Sequence, residues 1–253
     1  MADVRFGTRA VITVAGLALV LAARPGGARA GDSGNPNPGV VPPNARPHGQ
    51  TYGEWSAGWW RWAYSMPADR SPLTDTADCS TGQSGRVWFL GGTFSTNPVG
   101  GDPQNLVGRA RRTCTIPPGT FLFVSILNAE ASALEGNGTT EAELSKAAKY
   151  LEAHAVSMEA AVDGVPVNGL GRYRVQSPLF TFGPLPPNNL LRLPAGSTSP
   201  SVADGVFLML NPLPPGRHTI HWGGVFRFTQ AEDGFEFTLT LDIDYTITVA
   251  HGR

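Results

Sequence analysis

Four tryptophans fall within eight residues, Trp55, Trp59, Trp60 and Trp62, in the run TYGEWSAGWWRWAYSMP (51–67). Aromatic faces stack on the CH surfaces of sugars and on other apolar ligands, so an exposed row would bind a glycan or another envelope ligand. A buried row would instead be core, because each ring removes about 150–250 Å² from water. The helical stripe Tyr52, Trp55, Trp59, Trp62 and Met66 suits the core reading. It leaves Trp60 on the flank as the ring expected to line a groove, with Trp59 beside it and Trp88 contributed by a later apolar segment.

Carboxylates are the second source of chemistry. Glu54, Glu130 and Glu135 can supply the two groups that glycoside cleavage needs, one raised in pKa as acid and one ionised, with Asn128 orienting the substrate. Asn128 and Glu130 follow the apolar run Phe121–Leu127 and are expected at a strand end. The competing reading assigns these acids to caps and surface ion pairs, and Glu54 already has a capping role. His218 and His221 are three apart, so on one strand they face opposite sides and cannot chelate a metal together; His221 is kept as a ligand-binding candidate. Ser84 in Gly82-Gln83-Ser84-Gly85 lacks a nucleophile elbow. No phosphate loop, dinucleotide fingerprint, calcium loop or zinc spacing occurs, so no cofactor and no metal are expected.

The elements that would carry these residues follow from local pattern. Thr51 and Glu54 have capping-box spacing, which starts a helix that Pro67 ends. Val87–Leu90 is a continuous apolar strand, Leu106–Ile116 a second, and Thr120–Leu127 a third after the turn Pro117-Pro118-Gly119. Thr140 and Glu143 cap a second helix, with Leu144, Ala147, Ala148 and Leu151 on its apolar stripe and Glu152 on its surface. Val156–Val162 and Val165–Val167 pair across Asp163-Gly164, with Pro166 placing the second arm on an edge. Gly205–Leu210 and His218–Phe228 are further strands. Phe235–Val249 is apolar at every odd position, which marks a strand with one dry face, long enough to need a bend or bulge. Gly183–Ser201 is a loop longer than a compact fold needs, and a place to look for function. These elements predict a mainly β fold, an antiparallel β-sandwich or jelly-roll with two decorating helices.

Composition places this unit in a compartment. Arg5 and Arg9, an uncharged run of 14 residues from Ala10 to Ala23, and Ala28-Arg29-Ala30 read as a cleaved signal peptide over 1–30. Residues 31–50, with five prolines and four glycines, read as a flexible leader, leaving 51–253 as a single sandwich domain. The protein is therefore expected to be secreted or periplasmic, with no transmembrane segment in the mature chain. Without 1–30, 15 Lys and Arg face 19 Asp and Glu, a net charge near −4 that argues against a nucleic-acid partner. The one basic cluster, Arg109-Ala110-Arg111-Arg112, reads as a solvated strand edge. The two cysteines, Cys79 and Cys114, are predicted to form a disulfide in an oxidising compartment.

The segments YGEWSAGWWRW (52–62), GQSGRVWFLGGT (82–93) and LPPGRHTIH (213–221) together resemble an uncharacterised family of bacterial secreted proteins. That resemblance implies one unit over nearly all the mature chain and brings no activity or ligand with it. Two expectations follow from the residues: a binding protein for carbohydrate or another envelope ligand, and, as the alternative, a polysaccharide hydrolase or lyase. Convergence of Glu54, Asn128, Glu130 and His221 on one pocket would favour the enzyme.

Overall fold

The first helix, α1, spans Tyr52–Tyr64 and begins as the capping box predicts. The Thr51 hydroxyl accepts from the Glu54 N–H, and the Glu54 carboxylate accepts from the Thr51 N–H. The computed structural model describes residues 37, 39–74 and 78–251. The signal segment expected over 1–30 lies outside them. Strands β1 (Val87–Leu90), β2 (Asn97–Val99), β3 (Asp102–Ile116) and β4 (Phe121–Ser132) follow, then α2 (Glu141–Ala153). Beyond it come β5 (Ala155–Val162), β6 (Val165–Pro166), β7 (Arg174–Gln176), β8 (Phe180–Phe182) and β9 (Ser199–Leu210). The chain closes with β10 (Gly216–Phe228), a short α3 (Gln230–Asp233) and β11 (Phe237–Val249).

Two sheets stack as a mainly β sandwich. One has the order β1-β4-β9-β7, with β8 also on β9; the other runs β2-β3-β11-β10-β5-β6. The sandwich is mixed rather than antiparallel as expected, because β1 pairs with β4, and β3 with β11, in parallel. After β1 the chain crosses to the second sheet for β2 and β3, then returns to lie beside β1 in the same direction, an excursion that short-turn reasoning does not anticipate. β11 carries no bulge: its register runs without a shift along β10 and, from Thr238 on, along β3.

β4 decides the geometry of the site. It runs on to Ser132, past the end expected at Leu127, and its register against β9 shifts between Ser125 and Leu127. The extra residue reverses which parity faces which side. Phe123 packs against Tyr52 and Trp55 of α1. After the bulge it is Glu130 that meets α1, while Leu127 packs with Phe226, and Ala131 with Leu144 and Ala148 of α2. The helices thus cover opposite faces of the first sheet, and the second sheet shares the face with α2. Glu152 of α2, read from its spacing as a surface residue, is only 1% exposed on that face.

Trp59, Trp60 and Trp62 are all buried and Trp55 is half-buried, so the stripe is core and none of the four rings stands exposed. The loop after α1 supplies the missing cover. The Cys79–Cys114 disulfide joins that loop to β3. Gly82, at φ +70, passes so close that a Cβ there would sit 2.6 Å from the Met66 sulfur and 3.2 Å from Trp62 Nε1. Gln83 completes the wrap: its amide oxygen accepts from the Phe89 N–H and its nitrogen donates to the Phe89 carbonyl, occupying the outer edge of β1 as a strand would.

The leader expected to be flexible is docked from Gly39 onward. Val40 and Val41 are buried, Val40 bridges to Leu210, and the Val41 N–H donates to the Met209 carbonyl at 2.8 Å. The described residues belong to the compact unit Asn35–Arg253, so residue 51 is not a boundary. No helix among them is long and apolar enough to cross a membrane.

Candidate functional site

β1 covers β4 only from Phe121 to Val124. Beside the bulge that follows, the two sheets leave a cavity of about 310 Å³. Trp59 and Trp60 line it from α1, Ser125 and Asn128 from β4, and Phe226, Leu239 and Leu241 from the second sheet. Leu73, Gly92, Thr93, Phe94, Thr96, Leu106 of β3, and Ile126 and Leu127 of β4 complete the wall, and no charged residue lines it. Trp59 is fixed there by a 3.0 Å hydrogen bond from its Nε1 to the Leu90 carbonyl and by an edge-on contact with Trp60, ring centroids 5.0 Å apart. Trp60 Nε1 and Asn128 Oδ1 are buried with no hydrogen-bond partner. Buried atoms of Ser56, Trp62, Glu152 and Trp222, outside this wall, are likewise without a partner among the described residues.

Glu130 lies two residues beyond Asn128 on the same face of β4, outside the cavity lining. Tyr64 donates its hydroxyl to Glu130 Oε2 at 3.0 Å, Ser201 donates to Oε1, and the Glu135 carboxyl lies within hydrogen-bonding reach. Burial, with Glu135 adding to it, pushes the Glu130 carboxyl up to about 8, against the pull of the Ser201 and Tyr64 hydroxyls. The Tyr64 hydroxyl is held well above its ordinary range by its own burial and then by the two carboxyls. Ser132 donates to Glu135 at 2.6 Å and so anchors the far partner. Two carboxyls close enough to share a proton leave no room for a glycosidic bond, which requires roughly 5–9.5 Å between them.

The remaining predicted residues lie elsewhere. Glu54 caps the first turn of α1 and pairs with Arg46 at 3.3 Å, while Glu130 meets the last residue of that helix. About ten residues at 1.5 Å rise separate the two ends by roughly 15 Å, so they are not an acid–base pair. The Glu54 carboxyl is lowered by the Thr51 amide and hydroxyl and by Arg46, as a capping residue should be. Trp88 is half-buried on β1 and lines no part of the Trp60 cavity. His221 is on the outer face of the second sheet, where Nδ1 meets Asp244 at 2.8 Å. Burial lowers its pKa, but the bonds to Asp244 and Glu159 outweigh that and raise it.

Asp242 and Asp244 beside His221 are already engaged by Arg111, at 2.8 Å each, so this exposed acidic group is a paired surface ladder. Arg112 turns the opposite way, as alternation predicts, and donates to the Gly91 and Gly92 carbonyls and to the Tyr245 hydroxyl. His218 faces away from His221. Its ring nitrogens contact the Asp163 carboxylate at 2.7 Å and the Pro214 carbonyl at 2.9 Å. Both are acceptors, which favours the doubly protonated ring.

A larger cavity, about 430 Å³, lies between the docked leader and the β5–β6 hairpin, lined by Val40, Val162, Pro166, Leu210 and Leu213 with Asn37 and Asp163. It holds none of the predicted residues. Its Asn37 side chain bonds to Asn168 and Tyr173, and Asp163 is held by His218 and the Thr219 N–H. The Trp60 cavity is the stronger candidate, because it brings together Trp59, Trp60 and Asn128, which residue type alone singles out. Compared with known proteins, the chain matches no family model and no curated protein.

The long loop suspected of function is tied down, bridging at Asn189 to Pro67 and accepting at the Asn188 carbonyl from the Ala68 N–H at 2.7 Å. Asn189 is buried and bonds to the Pro186 and Leu193 carbonyls and the Leu193 N–H, and Ser199–Ser201 already belong to β9. Sequence reasoning missed Leu239, Leu241 and Phe226 as cavity residues. Their alternation marks them as inward, but only the β4 bulge explains why they are left uncovered.

Proposed function

We propose that this protein is a non-catalytic binding protein, exported to the envelope or beyond, that takes a ligand of that compartment into the cavity beside Trp59, Trp60 and Asn128. One observation carries the reading: an uncharged, largely apolar cavity of about 310 Å³ that reaches both sheets and is walled by Trp59, Trp60 and Asn128. The disulfide supports export, since such bonds persist in oxidising compartments. The hydrolase alternative loses support because Glu54, Glu130 and His221 are held by separate partners in separate places.

The test is a ligand screen, a glycan array beside a small-molecule library, on the wild type, Trp60→Ala and Glu130→Gln. Binding should be lost in Trp60→Ala and kept in Glu130→Gln, with no ligand turned over. Turnover that disappears in Glu130→Gln would overturn the reading in favour of the enzyme.

A further inference from the structure

His218 is buried, 9% exposed, and its side chain joins two turns. Nδ1 meets the Asp163 carboxylate at 2.7 Å, on the β5–β6 turn, and Nε2 meets the Pro214 carbonyl at 2.9 Å, on the turn between β9 and β10. Neither acceptor carries a hydrogen, so both bonds form only when each ring nitrogen has its own, and the ring is then an imidazolium. Asp163 and Pro214 both line the cavity of about 430 Å³ beside the docked leader, so this one side chain joins two segments of its wall.

The two ends of the link are built differently. Asp163 is pinned to β10 without His218: Oδ1 accepts from the Thr219 N–H at 2.8 Å, and the Asp163 N–H donates to the Thr219 carbonyl at 2.8 Å. The Pro214 end has less to hold it. Residues 211–216 read Asn-Pro-Leu-Pro-Pro-Gly, and Pro212, Pro214 and Pro215 have no backbone N–H to donate. A neutral ring keeps one N–H, and the charged carboxylate is the stronger acceptor for it. Nε2 then turns a lone pair toward the Pro214 carbonyl oxygen, and that bond is lost.

Electrostatics set the direction. Burial lowers the His218 pKa, but the bonds to Asp163 and Pro214 and the Asp163 charge outweigh it and raise the value above the ordinary 6.5. The Asp163 carboxyl, against its own burial, is lowered by His218 and the Thr219 N–H, so it stays ionised through this range. Asp163 is the charged group that faces the ring. β11 presents Ile247 opposite, and on β10 itself Arg217 and Thr219 point to the other face of the sheet. The link is therefore complete below 6.5 and is lost as pH rises through the raised value.

We infer that His218 is a proton-operated clasp: protonated, it holds the β5–β6 and β9–β10 turns together in one wall of the cavity, and on losing its proton to solvent it releases the β9–β10 turn. The released turn carries Leu213, a lining residue, so the cavity has a fixed wall at acid pH and a movable one at alkaline pH. This device is separate from the Trp60 cavity, since the two linings share no residue.

The test is an NMR titration of the full chain from about pH 5.5 to about 9.5, following the His218 ring protons and the heteronuclear ¹H–¹⁵N NOE of Leu213 and Thr219. The ring should titrate with a midpoint above 6.5, and the Leu213 NOE should fall with that same midpoint while Thr219, held by Asp163, keeps its value. In His218→Gln the pH dependence at Leu213 should be lost. Asp163→Asn, which keeps an acceptor but drops the charge, should lower the ring midpoint, and it is the second variant if the glutamine disturbs the fold. A ring midpoint at or below 6.5, or one unmoved in Asp163→Asn, would overturn the imidazolium link. A Leu213 NOE that stays flat across the ring titration, or that still titrates in His218→Gln, would overturn the clasp.

Discussion

α1 and α2 cover opposite faces of the same two strands, β4 and β9, and each interface buries a carboxyl group. Under α1 the acid is on the sheet: Glu130, held by Tyr64, Ser201 and Glu135. Under α2 it is on the helix: Glu152, with neither oxygen bonded. Burial raises both, Glu130 to about 8 and Glu152 to about 9, the latter against the attraction of Arg174, which is itself paired with Asp204 at 2.6 Å. Both carboxyls are thus neutral over most of the physiological range, yet they contribute with opposite sign. A satisfied polar cluster fixes one helix in register on its sheet, whereas an orphaned acid is a standing cost beneath the other.

The contrast can be broken first at the disulfide, which ties the loop after α1 to β3 of the second sheet. Replacing Cys79 and Cys114 with alanine should cost roughly 3–4 kcal/mol, the chain-entropy value for a loop of about 36 residues. Hydrogen exchange should then quicken in α1 and leave α2 nearly unchanged; equal quickening would show that the two helices are held as one unit. Next in size is Glu130→Ala, which strands the Tyr64 and Ser201 hydroxyls in the interior and should cost about 2–4 kcal/mol in urea unfolding. Glu152→Leu should run the other way and stabilise by about 1–3 kcal/mol at pH 8.

Acidity sharpens the comparison. Both folded-state values lie above the ordinary 4.5, so the folded protein keeps protons that the unfolded chain releases as pH rises. Stability should fall with increasing pH above about 4.5, by up to about 1.4 kcal/mol per unit for each group, levelling off near 8 for Glu130 and near 9 for Glu152. Glu152→Gln should flatten the slope between pH 5 and 8.5; an unchanged slope would place the titration elsewhere. Smallest of all, Tyr64→Phe should cost about 1 kcal/mol, because one hydrogen bond goes while the ring keeps its contacts with Trp60 and Phe182.

Local pattern made much of the fold legible. Thr51 and Thr140 cap their helices as their spacing predicts, Val87–Leu90 is a strand to the residue, and Asp163-Gly164 turns its hairpin. Cys79 and Cys114 pair, as their even count predicts. What escaped was non-local. Glu152 occupies an i+4 position beside Ala148, and nothing near it in sequence reveals that β9 lies over it. The β4 bulge at Ile126 has no glycine to announce it, yet it turns Asn128 and Glu130 toward α1. Trp59, Trp60 and Asn128 were legible as candidates from residue type; their meeting in one cavity depends on where β1 stops, which is a property of the sheet.

β11 lies at the centre of the second sheet, between β3 and β10. Its parallel partner β3 is roughly 130 residues earlier in the chain, a separation that makes the contact slow to form. Until residues 237–249 are available, β3 and β10 cannot be joined, and their inward apolar faces have no partner between them. Assembly of the sandwich is thereby postponed to one late insertion, and a chain truncated before Phe237 should behave as an aggregation-prone intermediate rather than as a smaller folded protein.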